Sequence, residues 1–195
     1  MIKIKYKYTQ EIRQSNLVHL IILVDEEEKR QLVVITDKAT AMHITATNES
    51  QKQPLTRKMY FERSALYVAM SLLPEEMKKL MFIHIDGLKD SQYHAHLVRR
   101  NADINEDTHE LRISEAVLLS IVSGIPMYID DHLWRIQSTP HNAASNGTQI
   151  PTNTLPLPML KKALQEAIDA ENYEMAKVLN EEIQNRFPGE RHKQL

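Results

Sequence analysis

Leu17-Val18-His19-Leu20-Ile21-Ile22-Leu23-Val24 is almost continuously apolar, and a run of this length bounded by an acidic turn reads as a central strand covered on both faces. Upstream, Ile2, Ile4, Tyr6 and Tyr8 alternate with Lys3, Lys5 and Lys7. That period belongs to a half-buried strand, and its lysine row protects an edge. Downstream, Asp25 to Glu28 and Lys29-Arg30 form a charged turn into a third strand over residues 31–35. The chain therefore opens as a β-meander. Asp37 then begins a helix to about Thr47, and residues 48–53 read as a polar loop ended by Pro54.

From Thr56, apolar positions including Met59, Leu66, Ala69 and Leu72 recur at helical spacing, with Thr56 as N-cap and Pro74 as stop. Strands are predicted over residues 80–85, 93–99, 110–113 and 126–129. Ser114 is placed to cap a helix over residues 115–123, and Gly124 stands where a left-handed C-cap belongs. Most strand-to-strand steps are too short for a parallel crossover. The expected class is α+β, a mixed or antiparallel sheet with packed helices.

The chain has 195 residues, 24 Lys and Arg against 26 Asp and Glu, a formal charge of −2, and no cysteine. Disulfide scaffolds, thiolate zinc sites and cysteine nucleophiles are excluded. No apolar run approaches the roughly 20 residues that cross a bilayer. A soluble, cytoplasmic protein with no membrane partner is expected. So small a net charge supplies no general field for a polyanion, so nucleic acid would need a local basic patch. Small mixed sheets leave edges that are commonly paired, which predicts a homo-oligomer.

Composition changes after Trp134. Residues 138–155 are rich in Pro, Asn, Ser and Gly and read as a flexible linker between a main domain over 1–137 and a short helical segment over 156–187, followed by a tail over 188–195. Leu157, Leu160, Leu164, Ala167 and Ile168 form one helical stripe, and Tyr173, Ala176, Leu179 and Ile183 form another. Two antiparallel helices of a hairpin follow, too small to be stable without a docking partner.

The hairpin resembles a UVR motif: a spaced Leu pair (Leu157, Leu160), an Ala-rich first helix, an acidic-aromatic-acidic turn (Glu171, Tyr173, Glu174), then Ala176-x-x-Leu179-x-x-x-Ile183. The resemblance implies contact with a UVR-bearing protein through Leu160, Leu164, Tyr173 and Leu179. The main domain resembles the bifunctional nuclease family, credited with cleaving RNA and DNA. Three stretches carry this resemblance: Arg112-Ile113-Ser114-Glu115-Ala116 with its helix and Gly124-Ile125-Pro126-Met127-Tyr128, the opening Gln53-Pro54-Leu55-Thr56, and Asp90-Ser91-Gln92-Tyr93. The family's Thr-His-Asp is here Thr56-Arg57-Lys58, which lacks an imidazole and a carboxylate suited to acid-base or metal work.

Phosphodiester hydrolysis commonly uses carboxylate-held divalent metal. The resemblance and this chemistry together nominate Thr56, Ser114 and Glu115 as catalytic residues, Arg57, Lys58 and Arg112 as phosphate contacts, and Glu115, Asp130 and Asp131 as ligands of Mg²⁺ or Mn²⁺. Asp86 is a weaker metal candidate. Glu115 could instead complement a helix dipole, and Asp130-Asp131 could cap a short helix. His94 and His96 share one strand face as a metal pair would, but a solvent-facing polar row predicts the same spacing. His19 reads as a core histidine, and Met70, Met77 and Met81 as core filling. Two functions stay open: a metal-assisted nuclease, or a non-catalytic adaptor that recruits a partner through its hairpin.

Overall fold

The computed structural model describes residues 1–12, 15–53, 62, 64–100, 106–141 and 150–186. It divides into two compact units, Met1–Gly87 with Tyr93–Gly147 and Leu88–Gln92 with Thr148–Leu195. The first unit is built on strands β1 (Ile2–Ile12), β2 (Ser15–Asp25), β3 (Arg30–Asp37), β4 (Met81–Lys89), β5 (Gln92–Arg100), β6 (Glu106–Arg112), β7 (Met127–Ile129) and β8 (Thr139–Pro140). They form one 8-stranded sheet in the order β6-β5-β4-β7-β1-β2-β3-β8. The meander β1–β2–β3 is antiparallel, and β7 runs antiparallel to β1 but parallel to β4, which places β1 inside the strand order and not at the edge its lysine row suggests. The class is α+β with a mixed sheet, as the interleaving of short strands predicts.

The apolar run is the sheet's most buried strand. Ile21, Ile22, Leu23 and Val24 are all 0% exposed, so successive residues, which point to opposite faces, are covered on both sides. Asp37 ends β3 and caps helix α1 (Lys38–Lys52), its carboxylate accepting the Thr40 N–H at 2.9 Å and the Thr40 hydroxyl at 2.6 Å. Residues 48–52 are therefore the last turns of a helix and not a loop. Tertiary packing overrides their polarity: Ser50 is buried, and the Gln51 amide donates to the Ile121 carbonyl on the neighbouring helix α4 (Ile113–Ser123).

Helix α2 (Ala65–Ser71) starts from Ser64, whose hydroxyl accepts the Tyr67 N–H at 3.1 Å. Thr56, Arg57 and Lys58 lie outside the described residues. The short α3 (Glu75–Lys79) contains the basic pair Lys78-Lys79. Helix α4 begins two residues earlier than expected. Its N-cap is Arg112, not Ser114, and the N3 residue Glu115 accepts the Arg112 backbone N–H at 3.3 Å. Gly124 ends it at φ 73, donating its N–H to the Ser120 carbonyl at 2.9 Å.

Helix α5 (Asp131–Gln137) follows β7, and β8 then pairs with β3 through Arg30↔Pro140 and Gln31↔Thr139. The sheet thus continues beyond residue 137, into the stretch whose composition reads as linker. In the second unit, α6 (Leu157–Asp169) and α7 (Tyr173–Arg186) form the helical pair. Asn172 caps α7, its side-chain oxygen accepting the Met175 N–H at 3.2 Å. Leu160, Ala167, Ala176, Leu179 and Ile183 are buried. Arg186 ties the unit together by donating to the carbonyls of Asn153 at 3.0 Å and Leu155 at 2.9 Å. No described helix is long and apolar enough to cross a membrane.

Candidate active site

The alternation of β4 separates two chemistries. Ile83 and Ile85 are 0% exposed, which turns His84 and Asp86 onto the opposite face of the sheet. Neighbouring strands repeat the pattern. On β7, Tyr128 lies between buried Met127 and Ile129 and is in register with His84. On β5, His94 and His96 alternate with buried Tyr93 and Ala95, and they stand opposite Arg112 and Glu110 of β6.

On this open face each of the three imidazoles meets a carboxylate. His84 Nε2 is 2.7 Å from Asp130 Oδ1, His96 Nε2 is 3.2 Å from Asp86 Oδ2, and His94 Nδ1 is 4.0 Å from Glu110 Oε1. The first pair has the best geometry for acid-base work. Asp130 is the N-cap residue of α5, yet its side chain caps no N–H and reaches His84 instead. With the Nε2 proton donated to that carboxylate, the lone pair of neutral His84 sits on Nδ1. The side chains are 25% and 43% exposed, so the imidazole is accessible to a substrate while its carboxylate partner remains only partly screened by water.

The acids nominated by sequence are divided among separate partners. Glu115 is held by the Arg112 guanidinium, Nη2 to Oε1 at 2.5 Å, and that hydrogen bond keeps its carboxyl below the usual carboxylate range. Asp131 meets the N-terminal ammonium at 2.6 Å, which lowers its pKa in turn. Asp130 belongs to His84. Among the described residues no group of three or more His, Asp or Glu side chains is arranged to hold a metal ion, and Glu115, Asp130 and Asp131 each meet a different partner. Ser114 stands half-buried in the first turn of α4, and Arg112 is exposed but engaged by Glu115. Thr56, Arg57 and Lys58 fall outside the described residues.

Sequence reasoning passed over His84, although it carried a readable signal. In Phe82-Ile83-His84-Ile85-Asp86, polar residues two apart interrupt an apolar strand and so share a face. The partner Asp130 lies 46 positions away, and only the parallel pairing of β4 with β7 brings it there.

This face therefore carries three imidazole–carboxylate pairs on one side of an α+β sheet. Residues 21–142 match the family described as the Bifunctional nuclease domain, and the chain belongs to that family. No curated protein matches the chain. The helical pair α6–α7 lies beyond the matched residues.

Proposed function

We propose that this protein hydrolyses phosphodiester bonds of RNA or DNA, with His84 as general acid-base and Asp130 as the residue that orients it. The observation that carries this reading is the 2.7 Å contact between His84 Nε2 and Asp130 Oδ1, on an open sheet face inside the residues that match the nuclease family. Nδ1 of neutral His84 accepts the proton of the attacking hydroxyl or water as the new P–O bond forms. The Asp130 carboxylate stabilises the resulting imidazolium, and a proton is returned to the leaving oxygen as its bond to phosphorus breaks. His96, on the neighbouring strand β5, meets Asp86, the residue two along β4 from His84, and is the second imidazole available for that return. No step is assigned to a metal.

The test is cleavage of single-stranded RNA and DNA by the purified full chain, with Mg²⁺, with Mn²⁺ and with chelator. His84→Gln should lower kcat by about 10²–10⁴-fold, the usual range for losing a general acid-base group. Unaltered cleavage by His84→Gln sinks the reading.

A second reading concerns the other unit. Ile168, Tyr173, Met175 and Val178 are 44%, 67%, 47% and 50% exposed, an unusual number of large apolar side chains on one helical pair. We infer that α6–α7 is the UVR-like element and contacts a protein through these residues. Leu160 and Leu179, nominated for that contact by sequence, are 0% and 3% exposed and serve the chain's own core. Replacing Tyr173 and Val178 by serine should abolish partner capture while leaving thermal stability unchanged. Capture that survives the double substitution refutes this contact.

A further inference from the structure

The open face continues from His84 toward the start of β4 and ends in a cavity of about 330 Å³ lined by Lys79, Leu80, Phe82, Arg100, Pro126 and Tyr128. Phe82, largely buried, is one of its lining residues. The Tyr128 ring meets Phe82 edge-on with centroids 6.0 Å apart and planes at 80°, and the Arg100 guanidinium lies 4.9 Å from the Phe82 centroid. Phe82 and His84 are themselves in ring contact at 6.5 Å, so cavity and imidazole belong to one continuous surface.

Several cations of the sheet are neutralised by neighbouring carboxylates. Lys3 is paired with Glu26, Lys5 and Lys7 with Glu28, Arg99 with Asp107 and Arg112 with Glu115. Lys79 and Arg100 are exposed, and neither meets a carboxylate among the described residues. Two cations with no carboxylate partner among the described residues, set beside an aromatic wall, favour an anion attached to a planar ring. The volume is at the small end of ligand pockets and suits a single such unit.

We propose that this cavity holds one nucleotide of a single-stranded substrate. The base stacks on Tyr128, the phosphate lies between Arg100 and Lys79, and the neighbouring phosphodiester is presented to His84. The proposal rests on the nuclease reading and adds to it the strandedness of the substrate and the residues that select it. Stacking on a protein ring requires an unpaired, splayed base, which a duplex does not offer. Phe82 and His84, two residues apart on an extended strand, are separated by about 6.6 Å. That spacing is comparable to the distance between successive phosphates of an extended single strand.

The experiment is fluorescence anisotropy with the full chain, a labelled oligothymidylate eight nucleotides long and the same strand annealed to its complement, in chelator across a salt series. Tyr128→Leu should weaken single-strand binding about tenfold or more while Tyr128→Phe retains it. Arg100→Gln and Lys79→Gln should each reduce the slope of log K against log salt by about 0.7. Lys38→Gln, an exposed cation that does not line the cavity, should bind like the wild type, and the duplex should bind weakly to every form. Absence of single-strand binding by the wild type overturns the proposal. So does equal binding by Tyr128→Leu, Arg100→Gln and Lys79→Gln, in which case cleavage dependent on His84 would still stand. The converse result, pocket variants that lose binding together with a His84→Gln form that cleaves normally, upholds the pocket and removes the catalytic assignment.

Discussion

Replacing Asp130 by asparagine separates two accounts of the same acid, an orienting partner of His84 or a metal ligand alongside Asp131 and Glu115. The substitution keeps side-chain shape and an oxygen at the position 2.7 Å from His84 Nε2, but removes the negative charge. Coulomb attraction between unit charges at a separation of about 4 Å is about 1 kcal/mol in water and about 4 kcal/mol at an effective dielectric of 20. With the His84 and Asp130 side chains 25% and 43% exposed, the site lies between these limits, and about 2 kcal/mol of imidazolium stabilisation is a reasonable working value. If that charge forms in the transition state, kcat falls about 30-fold at 25 °C. Asp131→Asn should leave kcat unchanged, because Asp131 pairs with the N-terminal ammonium and not with His84, and is 60% exposed. The assay is steady-state cleavage of a fluorogenic oligonucleotide by both variants, repeated over a Mn²⁺ series. Equal losses from Asp130→Asn and Asp131→Asn, both relieved by raising Mn²⁺, would refute the dyad and restore the shared cation.

Gly124 tests the backbone alone: at φ 73 with nothing within 4 Å of an added Cβ, Gly124→Ala meets no clash and only the left-handed penalty, about 1 kcal/mol, seen as a drop in Tm of roughly 2–4 °C. The Glu28 carboxyl, hydrogen-bonded by Lys7 and then Lys5, is held down at about 2 against its ordinary 4.5. A depressed acid stabilises the fold fully above its unfolded pKa and loses that contribution as pH falls. Urea titrations should therefore show stability declining between pH 4.5 and about 2, with a shallower decline in Glu28→Gln. Leu160, 0% exposed, should cost about 2–5 kcal/mol on truncation to alanine, measured on the loss of helical signal from α6–α7, whereas Tyr173→Ser should leave that transition in place.

Local pattern carries far in this chain because it reports on solvent. A lysine on every second residue of β1 and an unbroken apolar β2 state which faces meet water, and the alternation of elements is enough to imply a mixed α+β sheet. Gly124 was legible for a different reason: at a helix C-terminus the left-handed conformation costs glycine least. One misreading occurred where distant packing outweighs composition: the polar end of α1 is helical because Gln51 bonds the neighbouring helix and Ser50 is covered. The other is local, since α4 starts at Ile113 because Glu115 reaches back three residues to Arg112.

The site shows the same division more sharply. Residue identities and strand period place His84 and Asp86 on one face and His94 with His96 on another strand's face, since side-chain direction alternates with every peptide unit. Which carboxylate each imidazole meets is a property of strand order. Parallel pairing of β4 with β7 sets Asp130 beside His84, while Arg112 and the N-terminal ammonium draw Glu115 and Asp131 to other partners. Periodicity is local along the chain, whereas the company a charge keeps depends on contacts between segments dozens of residues apart, and only the folded sheet chooses among them.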